Sequence, residues 1–441
     1  MKTSRLNIIQ IVCHDLGRHL GCYGSKVRSP HLDEFAREGV LAPQAFCASA
    51  VCSPSRGCLM TGQHATTHGM VGLAHFGWNL APDVRTLVDE FNDGGFLTVH
   101  CGFQHERHAL KNRYARDTQT SWAACHTENA ISDAIEFLES YRAGTENDAP
   151  FYLNIGTTDV HQSVWNKAER VELYGGAAPH EDIEIPAFLP DEPPIREMMA
   201  RFQASIGWLD RQCARLFAAI KKLGFGRDTL VVFTTDHGIA GMRGKGTLYD
   251  AGLETALLMQ LPQELAWRGR LDGLISNIDI APTLLEAAGL PIPSRMQGRS
   301  FWHELGSGEP IPQTAIFAQW NCGGLEYHPQ RAIRTPDWLF IRSFEPHNLR
   351  PWAKTDEFSL RESYENSLYE LWPPPTQTRP EIELYNVQND PIQTQNLALK
   401  SEFAPVVADL EAQISRWMHE VNDPVLRGET PVPTQETGFG L

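Results

Sequence analysis

The sequence predicts an α/β fold built on a buried, largely parallel sheet. Three short runs, residues 7–12, 151–156 and 229–235, are rich in apolar and β-branched side chains, and each is soon followed by Asp and His. Strands buried on both faces read as continuous apolar runs, and open α/β sheets place their ligands outside the strand carboxyl ends. Helical periodicity fills the intervals, most clearly over residues 195–223, where Phe202, Ile206, Leu209, Cys213 and Leu216 share one side.

A chain of 441 residues is long enough for one large core plus a smaller domain. Its net charge of -16, with no offsetting basic block, argues against nucleic acid or an anionic membrane surface as a partner. Positive charge for an anionic substrate must therefore be local to a site. The nine cysteines are scattered, odd in number and without paired metal-binding spacing, which disfavours a disulfide framework and suits a reducing compartment. Residues 6–12 form an apolar run too short for a signal peptide or membrane span, and read as the first strand.

That strand leads into Cys13-His14-Asp15-Leu16-Gly17, where Asp15 is a candidate metal ligand. Residues 29–36 open with Ser29 as a helix cap and Pro30 in the first turn. Next comes Val51-Cys52-Ser53-Pro54-Ser55-Arg56-Gly57-Cys58-Leu59-Met60-Thr61-Gly62. Ser53 suits a cap and Pro54 a first turn, so Cys52 is expected at a helix N-terminus, where the dipole and free N–H groups favour an anion. Arg56 lies one turn on, facing back, with donors that fit an oxyanion. For a lone cysteine, a buried structural role at a helix start is the commoner case.

Residues 86–91 read as a helix and 96–99 as a strand, followed by Cys101-Gly102-Phe103-Gln104-His105; residues 130–138 read as a further helix. Residues 174–194, rich in Gly, Pro and acidic groups, suit a surface excursion bordering a site. Lys245 sits in Gly244-Lys245-Gly246, which on its own describes a solvated surface charge. Residues 278–285 start a helix with Asp279 as its cap, and residues 315–318 form another strand.

Cys-x-Pro-x-Arg with its Leu-x-Thr-Gly tail, from Cys52 to Gly62, resembles the sulfatase signature, and Asp236-His237-Gly238 and Gly244-Lys245-Gly246 resemble two further segments of that family. The resemblance implies an alkaline-phosphatase-like sandwich over residues 1–325. It implies a C-terminal subdomain over 326–441, with a small antiparallel sheet containing residues 332–342 and 383–387 and a packing helix over 406–418. It also implies that a formylglycine-generating enzyme oxidises Cys52 to formylglycine. One divalent cation is implied, Ca2+ by family habit, with Mn2+ or Zn2+ if nitrogen ligates.

Carried over residue by residue, Asp15, Cys52 and Asp236 meet the metal and His237 completes its shell. His14 stands where the family usually has the first carboxylate of Asp-Asp-x-Gly, and it either ligates or hydrogen-bonds behind the ligands. His105 matches the histidine of Gly-Lys-x-His, which serves the formylglycine. Phe103 takes the place of that motif's lysine, leaving Arg107 or His108 to supply the cation. His161, in Asp159-Val160-His161, is expected near the leaving-group oxygen, Lys245 on the sulfate and His75 on the leaving group.

The expected function is hydrolysis of a sulfate ester or sulfamate of a small anionic sulfated molecule, a mono- or disaccharide. A phosphonate monoester or phosphodiester hydrolase on the same scaffold is the alternative, and a degenerate sulfatase kept as a binding protein is a third reading, prompted by His14 and Phe103. With no export signal legible ahead of the first strand, the cytoplasm is the expected location.

Overall fold

The computed structural model describes residues 5–81, 83–106, 113–118, 125–146, 149–179, 182–241, 243–265, 267–322, 327–345 and 380–428. Its central sheet orders eight strands as Arg116–Asp117, Leu97–Gly102, Phe151–Thr157, Asn7–Cys13, Thr229–Thr235, Leu257–Gln260, Val40–Leu41 and Gly269–Arg270. The first five are mutually parallel, and Leu257–Gln260 runs antiparallel to both its neighbours. This is the mixed, mostly parallel sheet that the sequence predicts.

Alternation along the first strand explains its unbroken apolar character. Ile9, Ile11 and Cys13 enter one core with Phe202, Ile206 and Leu209, while Ile8 and Val12 enter another with Leu230, Val232 and Leu284. The register sets Cys13 level with both Thr157 and Thr235, and Gly156 level with Gly102. Residues that follow these four strands therefore emerge side by side on one edge of the sheet.

Two helix starts depart from the sequence reading. The helix Pro30–Glu38 has Ser29 at its cap position, but the Ser29 hydroxyl accepts from Gly21 N at 2.8 Å. Asp210, from the long helix Pro193–Lys222, instead accepts from His31 N and Leu32 N at 3.1 and 2.8 Å. Asp279 stands at the cap position of Ile280–Ala287 as expected but makes no side-chain cap bond there; its carboxylate accepts from Ser276 N at 2.8 Å and closes the preceding turn Asn277–Asp279.

A second sheet joins Ile316–Trp320, Gln330–Arg334, Trp338–Ser343 and Ile382–Asn386, all antiparallel. Its first strand lies ahead of residue 326. One face, with Ile333, Phe340 and Leu384, takes the helix Ala404–Glu420 through Leu410, Ile414 and Trp417. The other face, with Ile316, Trp320 and Ile341, packs on Phe46, Val51, Cys52, Leu248 and Leu253. The small sheet thus backs both the segment entering Cys52 and the one leaving Lys245. Among the described residues no helix is long and apolar enough to cross a membrane.

Candidate active site

The helix Cys52–Thr61 begins two residues sooner than a Ser53 cap would place it: Val51 is the cap residue and Cys52 the first helical one. The Ser53 hydroxyl accepts instead from Ala74 N at 3.0 Å. Pro54 fits the third position because N–H groups of the first turn have no intrahelical acceptor. The whole helix is buried, and the positive end of its dipole lies at Cys52.

Opposite it stand the residues that leave the strands Asn7–Cys13 and Thr229–Thr235. Asp15 N donates to Asp236 Oδ1 at 3.0 Å, and Asp15 itself adopts a left-handed φ of 54° to turn its carboxylate inward. His14 Nδ1 lies 2.7 Å from Asp15 Oδ1 and 3.2 Å from Asp236 Oδ2. His237 Nε2 lies 3.1 Å from Asp15 Oδ1 and 3.3 Å from Cys52 Sγ. His237 Nδ1 donates to Gly238 O at 2.9 Å, which fixes the ring and turns Nε2 into the cluster. His14, Asp15, Cys52, Asp236 and His237 each offer a ligand atom, and these atoms lie within 4.8 Å of one another.

Around this group the structure gathers the remaining residues singled out in the sequence. Lys245 Nζ donates to both oxygens of Asp15 at 3.2 Å and lies 3.4 Å from His161 Nε2. Its loop is tied down by Lys245 N to Ile239 O at 2.8 Å and Gly246 N to Ala50 O at 2.7 Å. Lys245 is 3% exposed, so it is no surface charge. His161 accepts at Nδ1 from Ser163 N at 3.2 Å, so its neutral ring carries the proton on Nε2, toward Lys245 and Asp15. His105 and His161 both hydrogen-bond the Cys52 side chain, and His75 stacks on His105 with centroids 5.7 Å apart. Phe103 stacks on His14 and lies 5.3 Å from the Arg56 guanidinium. Arg107 and His108 lie outside the described residues.

The electrostatics follow from these distances. Burial alone would raise the Cys52 thiol, but Lys245, His14 and His237 outweigh it and hold it well below its usual range. Burial likewise opposes ionisation of Asp15, yet Lys245, His161 and His14 keep it strongly acidic. Burial works against a protonated His14 too, but Asp236, Cys52 and Asp15 push it up to about 9. His105 is pushed down to about 4, chiefly by burial, which leaves it a neutral acceptor near neutral pH.

Two features show that the cluster is suited to ions. Five convergent donors, two carboxylates among them, match a divalent cation. Arg56 Nε donates to Asp236 Oδ2 at 3.1 Å while its buried Nη2 has no hydrogen-bond partner among the described residues, as a site awaiting an oxyanion would leave it.

Sequence reasoning missed the supporting groups. Ser163 fixes the His161 tautomer, Ser55 Oγ donates to Asp236 O, and Asn277 Nδ2 donates to Ser55 O at 3.1 Å. Glu106 is a buried carboxylate beside Arg56. Asp159 is not catalytic in its contacts: it accepts from Thr127 N at 2.7 Å and pairs with Arg170, so it anchors the loop that presents His161. Only Ser163, two residues from a candidate histidine, gave a readable local signal.

Residues 6–290 match the family model described as Sulfatase. The chain belongs to the sulfatase family. Residues 238–358 also match a model described as N-sulphoglucosamine sulphohydrolase, C-terminal. Human N-sulphoglucosamine sulphohydrolase is 27% identical over 466 residues, spanning 95% of this sulfatase and 91% of the human protein. A protein solved in complex with its substrate D-glucosamine-2-N,6-O-disulfate superposes with a TM-score of 0.71 at 17% identity, over 95% of this chain and 99% of that one. The phosphonate monoester hydrolase of Agrobacterium radiobacter gives 0.70 at 18% identity, over 96% and 97%. At such identities these two likenesses are of fold alone. By family, this sulfatase is a sulfuric ester hydrolase.

Proposed function

We propose that this sulfatase hydrolyses the sulfate ester or sulfamate of a small sulfated sugar, of the N-sulfo or O-sulfo glucosamine kind that its relatives' names carry. The observation that carries this reading is the placing of Cys52. It lies at the positive end of a buried helix, 3.3 Å from His237 Nε2 and hydrogen-bonded to His105 and His161.

Residue 52, once its thiol has been oxidised to formylglycine by a generating enzyme and the aldehyde has taken up water as a gem-diol, supplies one hydroxyl oxygen to attack sulfur and keeps the other for release of sulfate. Asp15 and Asp236, with His237 beside them, would hold a divalent cation, which when bound would supply Lewis acidity to the site. Arg56 Nη2 and Lys245 Nζ, both buried, bind the remaining sulfuryl oxygens and stabilise charge that grows in the transition state. His161 donates its Nε2 proton to the departing oxygen or nitrogen of the sugar. His105, neutral near pH 7, takes a proton from residue 52 as sulfate departs. All nine cysteines are unpaired, which supports a reducing, cytoplasmic setting.

The test uses full-length protein made with and without a formylglycine-generating enzyme. N-sulfoglucosamine, glucosamine 6-O-sulfate, an aryl sulfate and a phosphonate monoester are assayed in parallel, and the peptide carrying Cys52 is weighed. Sugar sulfates should be preferred, with turnover rising in proportion to the converted fraction. Equal turnover by unconverted protein, or preference for the phosphonate, would overturn the reading.

A further inference from the structure

The donor set of the cluster is not that of a calcium site. Ca2+ takes about six to eight oxygens, whereas here two of the four side chains flanking Cys52 present imidazole nitrogen. The oxygens present are also shared. Asp236 Oδ1 accepts from Asp15 N and His237 N at 3.0 Å, Asp236 Oδ2 from Arg56 at 3.1 Å, and both oxygens of Asp15 from Lys245 at 3.2 Å.

The spacing points the same way. Adjacent ligands of an octahedral ion with bonds of about 2.1 Å are about 3.0 Å apart, against about 3.5 Å for the longer bonds of Ca2+. His14 Nδ1 lies 2.7 and 3.2 Å from Asp15 and Asp236, and His237 Nε2 lies 3.1 Å from Asp15.

Both imidazoles are held in place, His237 by a hydrogen bond to a group behind it, as metal-bound histidines are, and His14 by ring packing. For His237 the group is the Gly238 carbonyl, 2.9 Å from Nδ1. For His14 it is the Phe103 ring, stacked on it with centroids 5.3 Å apart and planes 29° apart, while His161 meets it edge-on at 4.5 Å. Phe103 is itself fixed, because its amide donates to Gly156 O at 3.1 Å and a Cβ at Gly156 would lie 1.7 Å from Phe103 O.

We propose that His14, Asp15, Asp236 and His237 form a two-nitrogen, two-carboxylate site for a first-row transition dication, with His14 Nδ1 as a direct ligand and Phe103 as the residue that positions its ring. The proposal rests on the metal reading given above and deepens it. An aromatic ring at residue 103 then has a task that a lysine could not perform: it holds the His14 ring in register without adding a further positive charge to those of Lys245 and Arg56 beside the metal.

The experiment strips the full-length protein with a chelator and titrates it with Mn2+ and with Ca2+ by calorimetry. Pulsed electron paramagnetic resonance of the Mn2+ form then reads nitrogen couplings directly. Mn2+ should bind the more tightly, and two imidazole couplings should fall to one in His14→Gln, with His14→Asn as a second variant should the first not fold. Phe103→Leu should retain both couplings yet weaken Mn2+ by about 10- to 100-fold, the usual cost of losing a group behind a ligand. Ca2+ binding as tightly as Mn2+, or an unchanged nitrogen signal in a folded His14 variant, would overturn this inference and leave the metal reading intact. Failure of both ions to bind would remove both readings.

Discussion

Arg56 Nε and Asp236 Oδ2 lie 3.1 Å apart with both side chains wholly buried, and this ion pair ties the helix that begins at Cys52 to the strand that ends at the metal cluster. A buried pair broken from one side costs more than it contributes when whole, because the survivor stays charged without solvent.

Asp236→Ala should therefore do two things. Activity and bound dication should both be lost, and because Arg56 loses its carboxylate, stability should fall by about 3–5 kcal/mol. Metal analysis and denaturant unfolding check the two parts separately; an Asp236→Ala protein with normal metal content would contradict the first.

His161→Gln should discriminate by leaving group. With the Nε2 proton donor gone, turnover of a sugar sulfate should fall by about 10²–10⁴-fold, while an aryl sulfate, whose phenolate departs without protonation, should lose far less. A uniform loss on both substrates would assign His161 to binding.

The Lys245 loop should depend on the small sheet. Arg334 forks onto Asp250, with Nε to Oδ1 at 3.0 Å and Nη2 to Oδ2 at 3.1 Å, five residues beyond Lys245. Asp250→Ala strands a buried guanidinium and should lower stability by about 3–5 kcal/mol, with a higher KM for sulfate esters as Lys245 loosens. An unchanged melting temperature would refute the coupling.

Stability should fall on mild acidification through His64. Its Nε2 accepts from Trp417 Nε1 at 3.1 Å, and burial pushes it down to about 4 from its ordinary 6.5. Between those values the unfolded chain binds a proton that the folded one refuses. The contribution is thus complete above pH 6.5 and declines as pH drops toward 4, by up to about 1.4 kcal/mol per pH unit. His64→Gln keeps an acceptor for Trp417 and cannot titrate, so the difference between the two unfolding curves should vanish above pH 6.5 apart from a constant offset.

Much of this was legible in the sequence, for reasons that particular residues show. The strand Asn7–Cys13 announced itself because both faces are buried, so hydrophobicity never alternates with water. Asp15, Cys52, Asp236 and Lys245 were readable because strand ends and glycine-flanked loops concentrate chemistry at short spacing. What stayed hidden is long-range. Asp210 capping a helix 178 residues away, or Phe103 stacking on His14, depends on which elements become neighbours, and no local pattern encodes that. Ser53 misled because its hydroxyl suits a cap; it was drawn off by Ala74 N, a partner 21 residues distant.

The burial of Cys52 also sets a schedule. The side chain is 1% exposed, sealed by Asp236 and His237 from a strand some 180 positions later in the chain. As the first residue of a wholly buried helix, Cys52 is out of reach of any enzyme once the chain has folded. On the formylglycine reading proposed above, conversion therefore belongs on the growing or still open chain, before residues 229–237 dock against the first strand. Anything that hastens that docking, such as a stabilising change in the sheet, would shorten the time for maturation and yield more protein that is perfectly folded and permanently silent.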